Sequence, residues 1–112
     1  MKFLIASTIK AGDHMDQARM IGELAFRELV GYNVDGFLSH QVMQDGYSKT
    51  GEGEPTHYIC FGEYSQYQID VWNNALEKFG IFNLDPDYKL IKIDSKEAFL
   101  KRTKFKYIGQ DI

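Results

Sequence analysis

Two amphipathic stripes of helical period, each closed by a glycine and flanked by short β-forming runs, restrict this chain to very few folds. The first stripe runs Met15, Ala18, Ile21, Leu24, Ala25 and Leu29 and stops at Gly31. The second runs Ile69, Trp72, Leu76 and Phe79 and stops at Gly80. Apolar residues three and four apart share one face of a helix, and a glycine just past the last of them suits the left-handed helix cap. The second stripe is announced by Ser65-Gln66-Tyr67-Gln68, a capping box. Before the first, Asp13 is the predicted N-cap, and Asp16 in the first turn complements the helix dipole.

Between and around the helices lie strand-like runs. Residues 2–9 (KFLIASTI), 37–43 (FLSHQVM), 56–61 (THYICF) and 88–93 (YKLIKI) are short and rich in β-branched, aromatic and other apolar residues. Residues 44–55 read as a turn, residues 62–64 as a link, and Pro86 marks a loop. After residue 93 the pattern predicts about one helical turn and a short edge strand in KFKYI, whose alternating lysines suit an exposed edge. The order is β-α-β-β-α-β with a short C-terminal extension. That predicts a single α+β domain over residues 1–112, a ferredoxin-like βαββαβ sandwich. Helices on one side of a four-stranded sheet leave the opposite face bare, and such a face is commonly covered by oligomerisation.

The chain is mildly acidic, with a net charge of −3. Residues 1–88 carry 6 basic and 13 acidic side chains, and residues 89–112 carry 7 basic and 3 acidic. An acidic body argues against a general nucleic-acid binder. The basic tail fits either a subunit contact, an anionic ligand or a solvated lysine-rich face. The one cysteine, Cys60, leaves no intrachain disulfide, as expected of a reducing cytoplasm. The apolar run in MKFLIASTIKAG is short and runs into Asp13 and Asp16, so it reads as a strand rather than a leader. No stretch approaches the roughly 18 apolar residues of a membrane span.

Most conventional catalytic signatures are missing. No glycine-rich loop opens a helix, so neither a P-loop nor a dinucleotide fingerprint is present. His57 and Cys60 lie an odd number of residues apart in a strand and therefore face opposite sides, which weakens any metal site with His40. His14 reads as a solvated residue of a first helical turn. Ser7, Ser39 and Ser48 have no nucleophile context, and Cys60 reads as a small core residue. Tyr58, Tyr64, Tyr67 and Trp72 form an aromatic cluster in sequence that reads most simply as core packing.

Residues 45–61, DGYSKTGEGEPTHYICF, are the exception. Tyr47 is a large ring in a polar turn, where it either stacks on a planar ligand or covers the bare sheet face. Pro55 holds the preceding Glu54 extended, which fixes that carboxylate near the mouth of a strand. A carboxylate so placed beside an aromatic ring suits an amine-bearing or cationic ligand. The plainer reading is a polar loop residue.

Gly46-Tyr47, then Gly51-Glu52-Gly53-Glu54-Pro55-Thr56 leading into an apolar strand, then a helix ending in Phe79-Gly80, resembles the phage-encoded S-adenosylmethionine (SAM) lyases, formerly called SAM hydrolases. The resemblance covers residues 37–93 in element order and a few positions in identity. It implies a ferredoxin-like fold close to the trimeric PII-like signalling proteins of nitrogen metabolism, with SAM bound between subunits. It also implies cleavage of SAM to 5′-methylthioadenosine and homoserine lactone, with no metal or cofactor and no covalent nucleophile. Glu54 would hold the substrate's amino-acid moiety as the catalytic residue. Tyr47, Gly51, Thr56 and Tyr58 would bind substrate. One position departs from the pattern: where the family often has glutamine after the aromatic-Gly pair, this chain has Ile81. Two other classes stay open, a non-catalytic small-ligand or nucleotide-binding oligomer and a host-protein-binding inhibitor module.

Overall fold

The structure, a computed structural model, describes residues 1–31, 45–48, 56–103 and 105–107, with the backbone alone at Val30, 45–48 and 106–107. Its elements in chain order are β1 (Phe3–Lys10), α1 (Met15–Val30), β2 (Asp45–Ser48), β3 (His57–Tyr64), α2 (Gln66–Lys78), α3 (Ile81–Leu84), β4 (Lys89–Lys92), α4 (Lys96–Thr103) and β5 (Lys106–Tyr107). The strands form one sheet in the order β4-β1-β3-β2-β5. Every pairing in it is antiparallel. The chain is therefore α+β, with helices joining strands that are not neighbours in the sheet.

The centre of the sheet is the β1–β3 ladder, which runs without interruption from Phe3 opposite Tyr64 to Lys10 opposite His57. This pairing explains why β3 continues through residues 62–64, expected as a link. With β1 on one side, β3 still needs partners for its other backbone edge. Asp45–Ser48 supply them, with Asp45 opposite Ile59 and Tyr47 opposite His57. Strand character at 45–48 thus comes from pairing rather than from the local sequence, which reads as a turn. The expected strand 37–43 lies outside the described residues.

Alternation along the strands sorts the sheet into two faces. Ile9, Tyr58 and Cys60 point toward α1 and α2, where they meet Ala18, Ile21, Ala25, Trp72, Ala75 and Leu76 in the main core. The N-cap position of helix α1 is His14, which makes no side-chain cap, so Asp13 does not serve as the N-cap. The junction is instead tied by backbone: the Ala11 and Gly12 amides donate to the Thr56 carbonyl at 2.8 and 3.0 Å. Gly12 takes φ +54° and Gly31 φ +72°, left-handed values that a glycine adopts without strain. Helix α2 carries the expected capping box: the Gln68 amide donates to Ser65 Oγ, and the Ser65 amide donates to Gln68 Oε1. Gly80 is left-handed at φ +90°, and a further short helix, α3, follows where a plain loop is predicted.

The second sheet face is not bare. Ala6, Ile59 and Phe61 lie beneath Phe99 of α4, joined by Leu100 and Phe105. Phe99 meets Phe61 edge-on at 5.8 Å and Phe105 at 6.0 Å. Two cations of the basic tail lie over these rings, Lys96 over Phe61 and Arg102 over Phe99. The C-terminal segment therefore packs on the sheet, and oligomerisation is not the only cover for this face.

Candidate functional site

The β2–β3 register brings part of the expected site to one end of the sheet. Tyr47 pairs with His57 across the ladder and with Tyr107 of β5 on its other side. Thr56 stands one residue before β3. Its carbonyl holds the β1–α1 junction, and its hydroxyl shares a 2.8 Å hydrogen bond with His57 Nδ1. His57 is buried, with its ring 5.1 Å from that of Phe105. A buried imidazole with one nitrogen engaged by a neighbouring hydroxyl fixes that hydroxyl's orientation, so Thr56 presents an oriented polar group at the strand's mouth.

Tyr58 takes a different position. Only 2% exposed, it packs in the main core with its ring against Gly22 of α1. A Cβ at position 22 would come within 3.0 Å of Tyr58 Cε2, so glycine there makes room for the ring. Burial and the nearby Cys60 push the phenol's pKa upward. Tyr58 thus backs the β2–β3 end from inside the fold. Glu54 and Gly51 lie outside the described residues. Ile81, at the position where the resembled family often has glutamine, is 0% exposed in the main core.

Ser7, Tyr88 and Asn73, which carry no catalytic signal in sequence, form a connected polar chain inside the molecule. Trp72 Nε1 donates to Ser7 Oγ at 3.2 Å, Ser7 Oγ lies 3.1 Å from the Tyr88 hydroxyl, and that hydroxyl donates to Asn73 Oδ1 at 3.2 Å. The phenol proton goes to Asn73, so the serine proton goes to Tyr88, and all three bonds run in one direction from Trp72 to Asn73. Burial pushes the Tyr88 phenol up to about 12, and the Ser7 hydrogen bond opposes that shift. The chain stays protonated across the physiological range. Its clue in sequence is Ser7, a hydroxyl at an inward position between the apolar Ile5 and Ile9 of β1.

Asp85 is the second buried polar group that sequence reading passes over. Its carboxylate accepts from the Lys10 amide at 2.9 Å and from the Asp87 amide at 3.1 Å. The signal was the Asp-Pro-Asp turn, whose first side chain commonly bonds the backbone two residues on. Asp85 ties the end of β1 to the turn before β4.

Among the described residues, no three His, Cys, Asp or Glu side chains cluster closely enough to hold a metal ion. Among those residues, too, no helix is long and apolar enough to cross a membrane. No family model, curated protein or solved structure matches this chain.

Proposed function

We propose that this chain is a ferredoxin-like domain that binds SAM at the β2–β3 end of the sheet and cleaves it to 5′-methylthioadenosine and homoserine lactone. The observation that carries the reading is the register of β2 on β3, which sets Tyr47 opposite His57, whose Nδ1 shares a hydrogen bond with the Thr56 hydroxyl. The strand order β4-β1-β3-β2, with a helix between β1 and β2 and another between β3 and β4, supports the ferredoxin-like assignment. In the reaction, a carboxylate oxygen of the substrate forms a bond to its own γ-carbon. The bond from that carbon to the sulfonium breaks, and its electron pair leaves on sulfur as a neutral thioether. The protein's part is to fold the substrate so that these atoms meet and to hold its ammonium, the role given to Glu54. In this reading the protein is phage-encoded, works as a trimer in the host cytoplasm and has an anti-restriction role, since loss of SAM starves methylation-dependent defence.

One observation favours a second reading. Ile81 fills a core position and offers no polar group where the family often has a glutamine. A domain that binds SAM or a nucleotide without turnover would tolerate that exchange. Incubation with SAM followed by chromatography separates the two. Rapid 5′-methylthioadenosine formation, reduced by at least tenfold in Glu54→Gln, is the outcome expected of the lyase. Unchanged SAM together with a calorimetric binding isotherm would replace the lyase with the binding domain. Unchanged SAM and no binding would remove both.

A further inference from the structure

A groove of about 440 Å³ lies at the other edge of the sheet, between α2, α3 and the edge strand β4. It falls within the size range of small-ligand sites. Asn73, Asn74 and Glu77 of α2 line one side; Phe82, Tyr88 and Lys89 line the other. Phe82 is 48% exposed on the rim, although it also meets the Tyr88 ring edge-on at 6.3 Å. An exposed ring of this size gains little from folding and offers a stacking face. Asn73 Oδ1 is already taken by the Tyr88 hydroxyl, so its NH₂ is the group it can offer a ligand. Asn74 is exposed and carries both a donor and an acceptor. Glu77 and Lys89 balance each other in charge, which disfavours a polyphosphate and favours a neutral ligand.

We infer that this groove is a second binding site, for a neutral purine base or nucleoside, stacked on Phe82 and held at its edge by the Asn73 and Asn74 amides. Stacking on an aromatic side chain suits any base, and an asparagine amide matches the donor–acceptor pair on adenine. The inference does not rest on SAM cleavage, because the groove and the β2–β3 end occupy opposite sides of the β1–β3 ladder. The polar chain from Asn73 through Tyr88 and Ser7 to Trp72 gives the site a built-in reporter. A ligand that polarises the Asn73 amide also perturbs the Trp72 indole N–H.

The test is a titration of ¹⁵N-labelled protein with adenosine and guanosine, with ribose as the control for a non-aromatic ligand. Saturable shifts of the Asn73 and Asn74 side-chain amides and the Trp72 indole, absent with ribose, are expected. Phe82→Ala should weaken binding by about tenfold or more, whereas Tyr67→Ala, which removes a ring 77% exposed outside the groove, should not. Asn74→Ala, also at an exposed position, is expected to weaken binding several-fold and stands in if Phe82→Ala fails to fold. The inference is overturned by the absence of saturation at millimolar nucleoside, by an equal response to ribose, or by wild-type affinity in Phe82→Ala or Asn74→Ala. Saturable binding that leaves the Asn73 and Asn74 side-chain amides unshifted would overturn it too, by moving the nucleoside away from this groove.

Discussion

Ser7 shows how much one side chain can carry in a small core. It accepts from Trp72 and donates to Tyr88, and it is itself fully buried. Ser7→Ala leaves the indole N–H of Trp72 without that acceptor in a region water does not reach. The expected cost is about 1–3 kcal/mol, read as a lowered urea midpoint at unchanged slope. A variant as stable as the parent would show that the chain of hydrogen bonds contributes little. The sequence reading of Trp72 as a core residue holds, at 1% exposure, whereas Tyr67 of the same aromatic cluster is 77% exposed and lies outside the core. The sequence around Ser7 offers no nucleophile context. Its partners lie 65 and 81 positions away, and no local pattern reveals a hydrogen bond over such a separation.

At the scale of elements, the helix signals are local and therefore legible. The Ser65 box forms as its four residues dictate, and Gly31 and Gly80 take the left-handed conformation expected of them. Ser65→Ala should cost about 1 kcal/mol, seen as a lower melting temperature, because one N-terminal amide of α2 loses its acceptor. Helix α4 is less legible. Its pattern predicts about one helical turn, whereas it spans Lys96–Thr103 and buries Phe99. Its helical form depends on the apolar face of Ala6, Ile59 and Phe61 beneath it. Phe99→Ala should cost about 3–5 kcal/mol and should open the second sheet face, with self-association visible by size-exclusion chromatography. A variant that stays both stable and unchanged in size would refute the covering role of α4.

For the molecule as a whole, the buried phenols set an alkaline limit. The Tyr88 pKa rises from 10.0 to about 12, and burial raises those of Tyr58 and Tyr64 as well. The folded protein therefore holds protons that the unfolded chain gives up. The resulting stability is complete below the unfolded value, about pH 10, and is lost as pH rises through about 12. Tyrosinate absorbance and far-ultraviolet circular dichroism, followed together, should show these phenols ionising only as the protein unfolds. Early ionisation with intact secondary structure would contradict their placement. By contrast, the surface pair of Lys78 with Glu28 between α2 and α1, 2.5 Å apart, is expected to matter little, since exposed ion pairs contribute about 0–1 kcal/mol.

The sequence alone determined the strands around Phe3–Lys10, residues 57–61 and Lys89–Lys92, the stops of both long helices and the opposite orientations of His57 and Cys60. Each depends on residues a few positions apart, through helical period, strand alternation or glycine conformation. Only the tertiary structure decided that Asp45–Ser48 is a strand, that Gly22 makes room for the Tyr58 ring, and that α4 covers the second face of the sheet. These outcomes follow from needs that arise only after collapse. A central strand must satisfy both of its backbone edges, a buried ring requires a neighbour without a side chain, and an apolar face must be covered by whatever chain lies nearest.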